Sequence, residues 1–96
     1  MLFKVHRHGR STLVSVCSDD LLGKKFREEK NLLDVNNHFF GGEKLPLSEL
    51  KNILQEFDNV TLVGNDVVDE AVRRGFIKIE SIKVVKGVKW GICLKG

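Results

Sequence analysis

Two basic β-hairpins at the ends of the chain, with two amphipathic helices flanking a short strand between them, predict an α+β fold. It has two layers: a mostly antiparallel sheet with two helices on one face. The first hairpin rests on alternation from Phe3 to Val16 around a Gly9-Arg10 turn. A two-residue type II′ loop pairs His8 with Ser11, so Phe3, Val5, Val14 and Val16 share one face. Lys4, His6, His8, Ser11, Leu13, Ser15 and Cys17 then share the other, largely polar face.

The second hairpin alternates lysine with apolar residues from Ile82 to Lys95. A three-residue Val85-Lys86-Gly87 loop, with Gly87 left-handed, pairs Val84 with Val88 and Ile82 with Trp90. A two-residue Lys86-Gly87 loop would mismatch the apolar faces, so the longer loop is expected. It sets Lys83 opposite Lys89. Between the hairpins, Leu47, Leu50, Ile53, Leu54 and Phe57 recur at helical spacing after Pro46 and predict a helix of about ten residues. Val60 to Val63 reads as a strand. Gly64 leads into a second helix capped by Asn65 or Asp66, with Val68, Ala71 and Val72 inward and Gly75 as its stop. Asp19 to Gly23 suggests one helical turn, Asn31 to Val35 a strand, and Gly41-Gly42 a loop. The expected core is Phe3, Val5, Val14, Val16, Leu50, Ile53, Leu54, Phe57, Leu62, Val68, Ala71, Val72, Ile82, Val84, Val88 and Trp90.

All 96 residues fit a single domain, 1–96, and 42% hydrophobic with 30% charged residues excludes both a disordered and a membrane-embedded chain. Two cysteines, Cys17 and Cys93, are too few for a disulfide scaffold, and a chain of this size folds without one. No run approaches the roughly 18 apolar residues of a membrane span, and the first residues lack the order of a signal peptide, so the expected location is the cytoplasm. Charge is polarised. Residues 1–12 carry +3 and residues 78–96 carry +4, while the segment between holds 8 basic and 12 acidic residues, a balance of −4.

The run Leu21-Leu22-Gly23-Lys24-Lys25-Phe26-Arg27-Glu28, with Phe39-Phe40-Gly41-Gly42, Leu62-Val63-Gly64 and the closing Gly87-Val88 turn, resembles an archaeal family of small uncharacterised proteins, domain of unknown function 424. The likeness spans nearly the whole chain. The sequence departs from the family pattern at Glu29, where glycine is usual, and at Lys89-Trp90, where Pro-His is expected. The resemblance implies an archaeal cytoplasmic protein with a small two-layer α+β fold, and no established activity.

Candidate chemistry is sparse. His6-x-His8 points two imidazoles the same way, but a third metal ligand is missing, so no metal is expected. Cys17 lies too far along its strand from His6 to be activated, and both thiols read as structural. Gly23-Lys24 lacks the remainder of a phosphate-binding loop, and Asp66, Asp69 and Glu70 crowd the helix start after Gly64, so neither is a nucleotide site. No cofactor and no catalytic residue is assigned. Three classes of function remain. The favoured one is an RNA- or ribonucleoprotein-associated module that binds RNA or another polyanion through a basic sheet face formed by Lys4, Arg10, Lys83, Lys86, Lys89 and Lys95. That face lacks an aromatic for base stacking, because Trp90 is assigned to the core. The second is a protein-interaction subunit that recruits a protein partner through the Val88–Leu94 strand edge. The third is a small enzyme with an anion-binding cleft of Lys24, Arg27 and Glu43, where Gly23 and the Gly41-Gly42 pair let backbone approach a ligand. No membrane partner is expected, and the oligomeric state is not read from the sequence.

Overall fold

A computed structural model describes residues 1–95. Eight strands form a six-stranded sheet, ordered β5-β1-β2-β6-β8-β7, and a separate β3–β4 hairpin. β1 (Leu2–His8) and β2 (Ser11–Cys17) pair antiparallel with His8 opposite Ser11, the expected register. Gly9 has φ 59°, the left-handed first position that a type II′ turn requires. A 3-10 turn over Asp19–Leu21 leads to β3 (Lys25–Glu28) and β4 (Asn31–Asp34). The short helix α1 (Asn37–Phe40) and β5 (Glu43–Lys44) follow.

The helix after Pro46 begins as a 3-10 turn over Leu47–Glu49 and continues as α2 (Leu50–Glu56). β6 (Asn59–Val63) then enters the sheet parallel to β2, the one parallel pair in it. α3 (Asn65–Arg73) starts directly after Gly64, which takes the cap position itself at φ 118°. A 3-10 turn over Ile79–Ser81, β7 (Lys83–Val85) and β8 (Val88–Leu94) complete the chain. No described helix is long and apolar enough to cross a membrane.

Both faces of the sheet are covered. On the helix face, Val14, Val16, Val60, Leu62 and Cys93 pack against Leu50, Ile53 and Leu54 of α2 and Val67, Val68 and Ala71 of α3. Phe3, Val5, Phe57, Val72 and Ile82 border this core as expected. On the opposite face, Cys17, Val63, Val85, Val88 and Trp90 pack against Phe26 and Leu33 of the small hairpin, Val35, and Phe39 and Phe40 of α1. The sequence reading treated that second face as polar and open.

The second core overturns the expected C-terminal register. β7 and β8 are joined by the two-residue Lys86-Gly87 turn, which pairs Val85 with Val88, Val84 with Lys89 and Lys83 with Trp90. Lys86 and Gly87 have φ 53° and 78°, the two left-handed positions of a type I′ turn. The mismatch that argued against this turn assumed a single apolar face. With apolar layers on both sides, Val85, Val88 and Trp90 bury toward the small hairpin, whereas Val84, placed in the core by the sequence, is 51% exposed. Asn65 holds the turn, donating from Nδ2 to Gly87 O at 3.1 Å and accepting from Lys89 N at 2.8 Å.

Candidate nucleic-acid interface

Lys83 and Trp90 are cross-strand neighbours, so their side chains leave the sheet on the same face. Between β7 and the small hairpin lies an open groove of about 340 Å³, lined by Asn31, Leu32, Lys83, Val84, Val85 and the half-buried Trp90. β3 and β4 pack against β7 through the second core. Glu28 Oε1 accepts from the Lys86 backbone N–H at 3.3 Å, which ties the small hairpin to the β7–β8 turn.

Alternation along β3 turns Phe26 inward and leaves Lys25 and Arg27 on the outer side, opposite Asp34 and Leu32. Lys24 precedes this strand and Lys30 sits in its turn. The small hairpin and the residue before it carry Lys24, Lys25, Arg27 and Lys30 with Glu28, Glu29 and Asp34, and the β7–β8 hairpin carries Lys83 and Lys86. None of the six enters an ion pair among the described residues. Of these cations Lys83 lines the groove, which also holds the only tryptophan of the sequence.

The six-residue platform expected from the sequence does not assemble as derived. Lys83 and Lys89 are one register step out of opposition and leave the sheet on opposite faces. Lys89 lies on the helix face, its Nζ 2.8 Å from Asp69 Oδ1. Lys95 Nζ donates to Gln55 O at 2.8 Å, and Lys4 Nζ to His38 O at 2.5 Å. Arg10 stands at the opposite end of the sheet from the β7–β8 turn, beside a cavity lined by Arg7, Thr12, Glu56, Phe57 and Asp58. Only Lys83 and Lys86 stay together. Conversely, Trp90 is not in the helix-packed core, so an aromatic does stand on the face of Lys83.

The Lys24, Arg27 and Glu43 cleft is absent as well. Glu43 pairs with Phe3 at the β5 edge, the opposite end of the sheet from β7 and the hairpin that carries Arg27. The glycine pair serves the chain's own packing: a Cβ on Gly42 would overlap Phe3 O, and one on Gly41 would overlap Asn37. Of the histidines expected in solvent, His8 is exposed but His6 is half-buried under α1. Its ring stacks on Phe39 at 4.7 Å, and its Nε2 donates to Phe39 O at 2.9 Å. The buried Ser15 hydroxyl donates to the same carbonyl at 2.6 Å. These bonds, with that of Lys4, anchor a helix too short to persist alone. No cluster of three or more metal-ligating side chains occurs among the described residues.

A second open cavity of about 340 Å³ sits where the parallel strands β2 and β6 end, lined by Ser18, Asp20, Leu21, Asn65, Asp66 and Val88. Ser18 Oγ donates to Asp66 Oδ1 and closes the junction between the two strand ends. Its carboxylates repel phosphate, in line with the charge of the helix start. Cys17 lies fully buried just before this junction, and burial, with Asp19 nearby, pushes its thiol up to about 11. Cys93 is buried too, its thiol raised by burial and directed at Phe76 O.

The model of a family described as protein of unknown function (DUF424) matches residues 6–94. The chain belongs to this family. Among solved structures, a crystal structure of an uncharacterized conserved protein from Methanopyrus kandleri is similar, with a TM-score of 0.77 and 21% identity over 99% of this chain and 92% of that one. At that identity the likeness establishes a shared fold. No curated protein matches. The Leu21–Glu28 run, part of what carries the family resemblance, spans the end of the 3-10 turn and all of β3. Sequence reasoning missed the groove because it left Phe26 and Leu33 unassigned. Their apolar positions opposite each other, across a turn at Glu29-Lys30, were the available signal.

Proposed function

We propose that this protein binds single-stranded RNA or a similar polyanion in the groove between the small hairpin and the β7–β8 edge. The observation that carries the reading is the pairing of Trp90 with Lys83 on one face of an open groove between two hairpins that bear Lys25, Arg27, Lys30 and Lys86, with Lys24 just before the first. The ring offers a stacking surface that tolerates any base, and the cations meet the phosphates on either side. Hydrogen-bonding groups for reading a defined sequence are few, so recognition is of backbone and base faces.

The test uses a fluorescein-labelled oligouridylate of about a dozen nucleotides. Anisotropy should report binding at ~50 mM salt, weakening at a log–log slope of about −3 if some four phosphates are engaged. Trp90 is the single tryptophan, so stacking should quench the intrinsic fluorescence of the chain. Trp90→Ala should weaken binding roughly 5- to 150-fold, the range for one lost stacking contact. Lys83→Glu with Lys86→Glu should flatten the slope by at least ~1.4, two phosphates' worth, whereas Lys89→Gln on the helix face should leave it unchanged. Absence of binding at ~50 mM salt, or loss on Lys89→Gln equal to that on Lys83→Glu, would overturn the reading.

A further inference from the structure

Only part of β8 has a partner on each side. β6 accompanies it from Trp90 to Leu94, but β7 stops opposite Trp90. Hydrogen-bonding direction alternates along an antiparallel strand. Lys89 O accepts from Gly64 N on the β6 side, and Lys95 N donates to Asp58 O on the same side. Ile92 and Leu94 therefore direct their N–H and C=O groups the other way, where no described strand stands. The same two residues carry exposed apolar side chains, Ile92 at 43% and Leu94 at 69%. Both lie on the face opposite the helices, since Cys93 between them is in the helix-face core.

Sheet edges of this kind are usually blunted by a lysine or a covering segment. Here the nearest lysine, Lys95, is drawn back onto α2 through Gln55 O. The chain that precedes β7 passes under the helix face, where the Ile77 and Ile82 side chains reach Gly91. The edge of β8 thus presents four backbone hydrogen-bonding groups and two apolar side chains in register.

We infer that the Ile92–Leu94 edge accepts one strand of a partner protein, an extended acidic segment with alternating apolar residues. Charge selects this occupant over a second copy. Residues 78–96 carry +4, and an antiparallel pairing of two such edges about Cys93 would bring both basic hairpins together. Lys78 and Lys83 are exposed and outside every ion pair among the described residues, so they are available to acidic side chains of the docked strand. Main-chain bonds would supply affinity, and the apolar residues beside Ile92 and Leu94 would fix the register. This surface adjoins the Trp90 groove at Lys83, but its recognition by main-chain pairing at Ile92 and Leu94 does not depend on the RNA reading.

The probe is a fluorescein-labelled peptide of about eight residues alternating glutamate and valine, titrated with the full chain at low salt. Binding with Kd below ~1 mM is expected, with none for the same peptide built of lysine and valine. Methylating the backbone nitrogens of the peptide should abolish binding without any change to the protein. Leu94→Pro removes only an outward-facing donor, a position where an edge strand tolerates proline, and should weaken peptide binding at least about tenfold with the melting temperature and the oligouridylate affinity retained. The inference is overturned if the unmodified peptide fails to bind or the methylated peptide binds equally well. A dimer in light scattering that Leu94→Pro converts to monomer would overturn it too, by naming a second copy as the occupant.

Discussion

The C-terminal register decides where Trp90 and Lys83 stand, and a pair of neighbouring valines reports on it. In the Lys86-Gly87 register Val85 is 4% exposed in the second core, whereas Val84 is 51% exposed. Val85→Ala removes two carbon atoms' worth of buried side chain, about 1.6 kcal/mol at ~0.8 kcal/mol per buried methylene, plus a cavity contribution. The total is about 2 kcal/mol. Val84→Ala loses at most about half the transfer contribution and leaves no cavity, so ~0.8 kcal/mol or less. In a chain of this length, 2 kcal/mol lowers the melting temperature by about 8 to 16 °C. Urea unfolding at 25 °C, followed by circular dichroism with slopes compared between variants, measures both costs. A Val84→Ala cost equal to or above that of Val85→Ala would restore the Val84–Val88 pairing and separate Trp90 from Lys83.

Three other measurements probe the junctions that hold the site. Gly64→Ala places a Cβ on the Ser18 hydroxyl at φ 118°, so it should cost ~3 kcal/mol or more in urea unfolding, and adding Ser18→Gly should recover only the steric part. Lys86→Asn suits the left-handed first position of the type I′ turn and should stabilise by about 0.5–1 kcal/mol; no gain would argue against that turn. With its thiol near 11 and fully buried, Cys17 should react about a hundredfold more slowly than an exposed thiol toward a disulfide reagent at pH 8, and fully once unfolded in urea; stoichiometric labelling of the native protein within seconds would refute its burial.

Much of the fold is legible in the residues alone. The first hairpin follows from strict alternation on both sides of a glycine that takes a left-handed turn, which leaves one register. α2, β6 and α3 follow from apolar spacing, and Gly75, at φ 80°, ends the last helix. The basic character of the chain's ends was equally readable, whereas the full burial of Cys17, placed by alternation on the largely polar face, was not. What only tertiary structure decided is which side of the sheet each residue of the second hairpin faces. Alternation assigns residues to two sets, but it names a core set only when one face is apolar. Here α2 and α3 cover one face and the small hairpin with α1 covers the other, so both sets contain a buried residue, Cys93 in one and Val85 in the other. Shifting the pairing by one residue then sends Lys89 to Asp69 on α3 and leaves Lys83 beside Trp90. The second cover was itself hard to foresee, because α1 is held by Lys4, His6 and Ser15, residues 24 to 34 positions away, and not by its own four-residue propensity. The candidate groove exists because the second core and the Glu28–Lys86 contact hold a short hairpin over a strand whose turn a lysine, not a glycine, initiates.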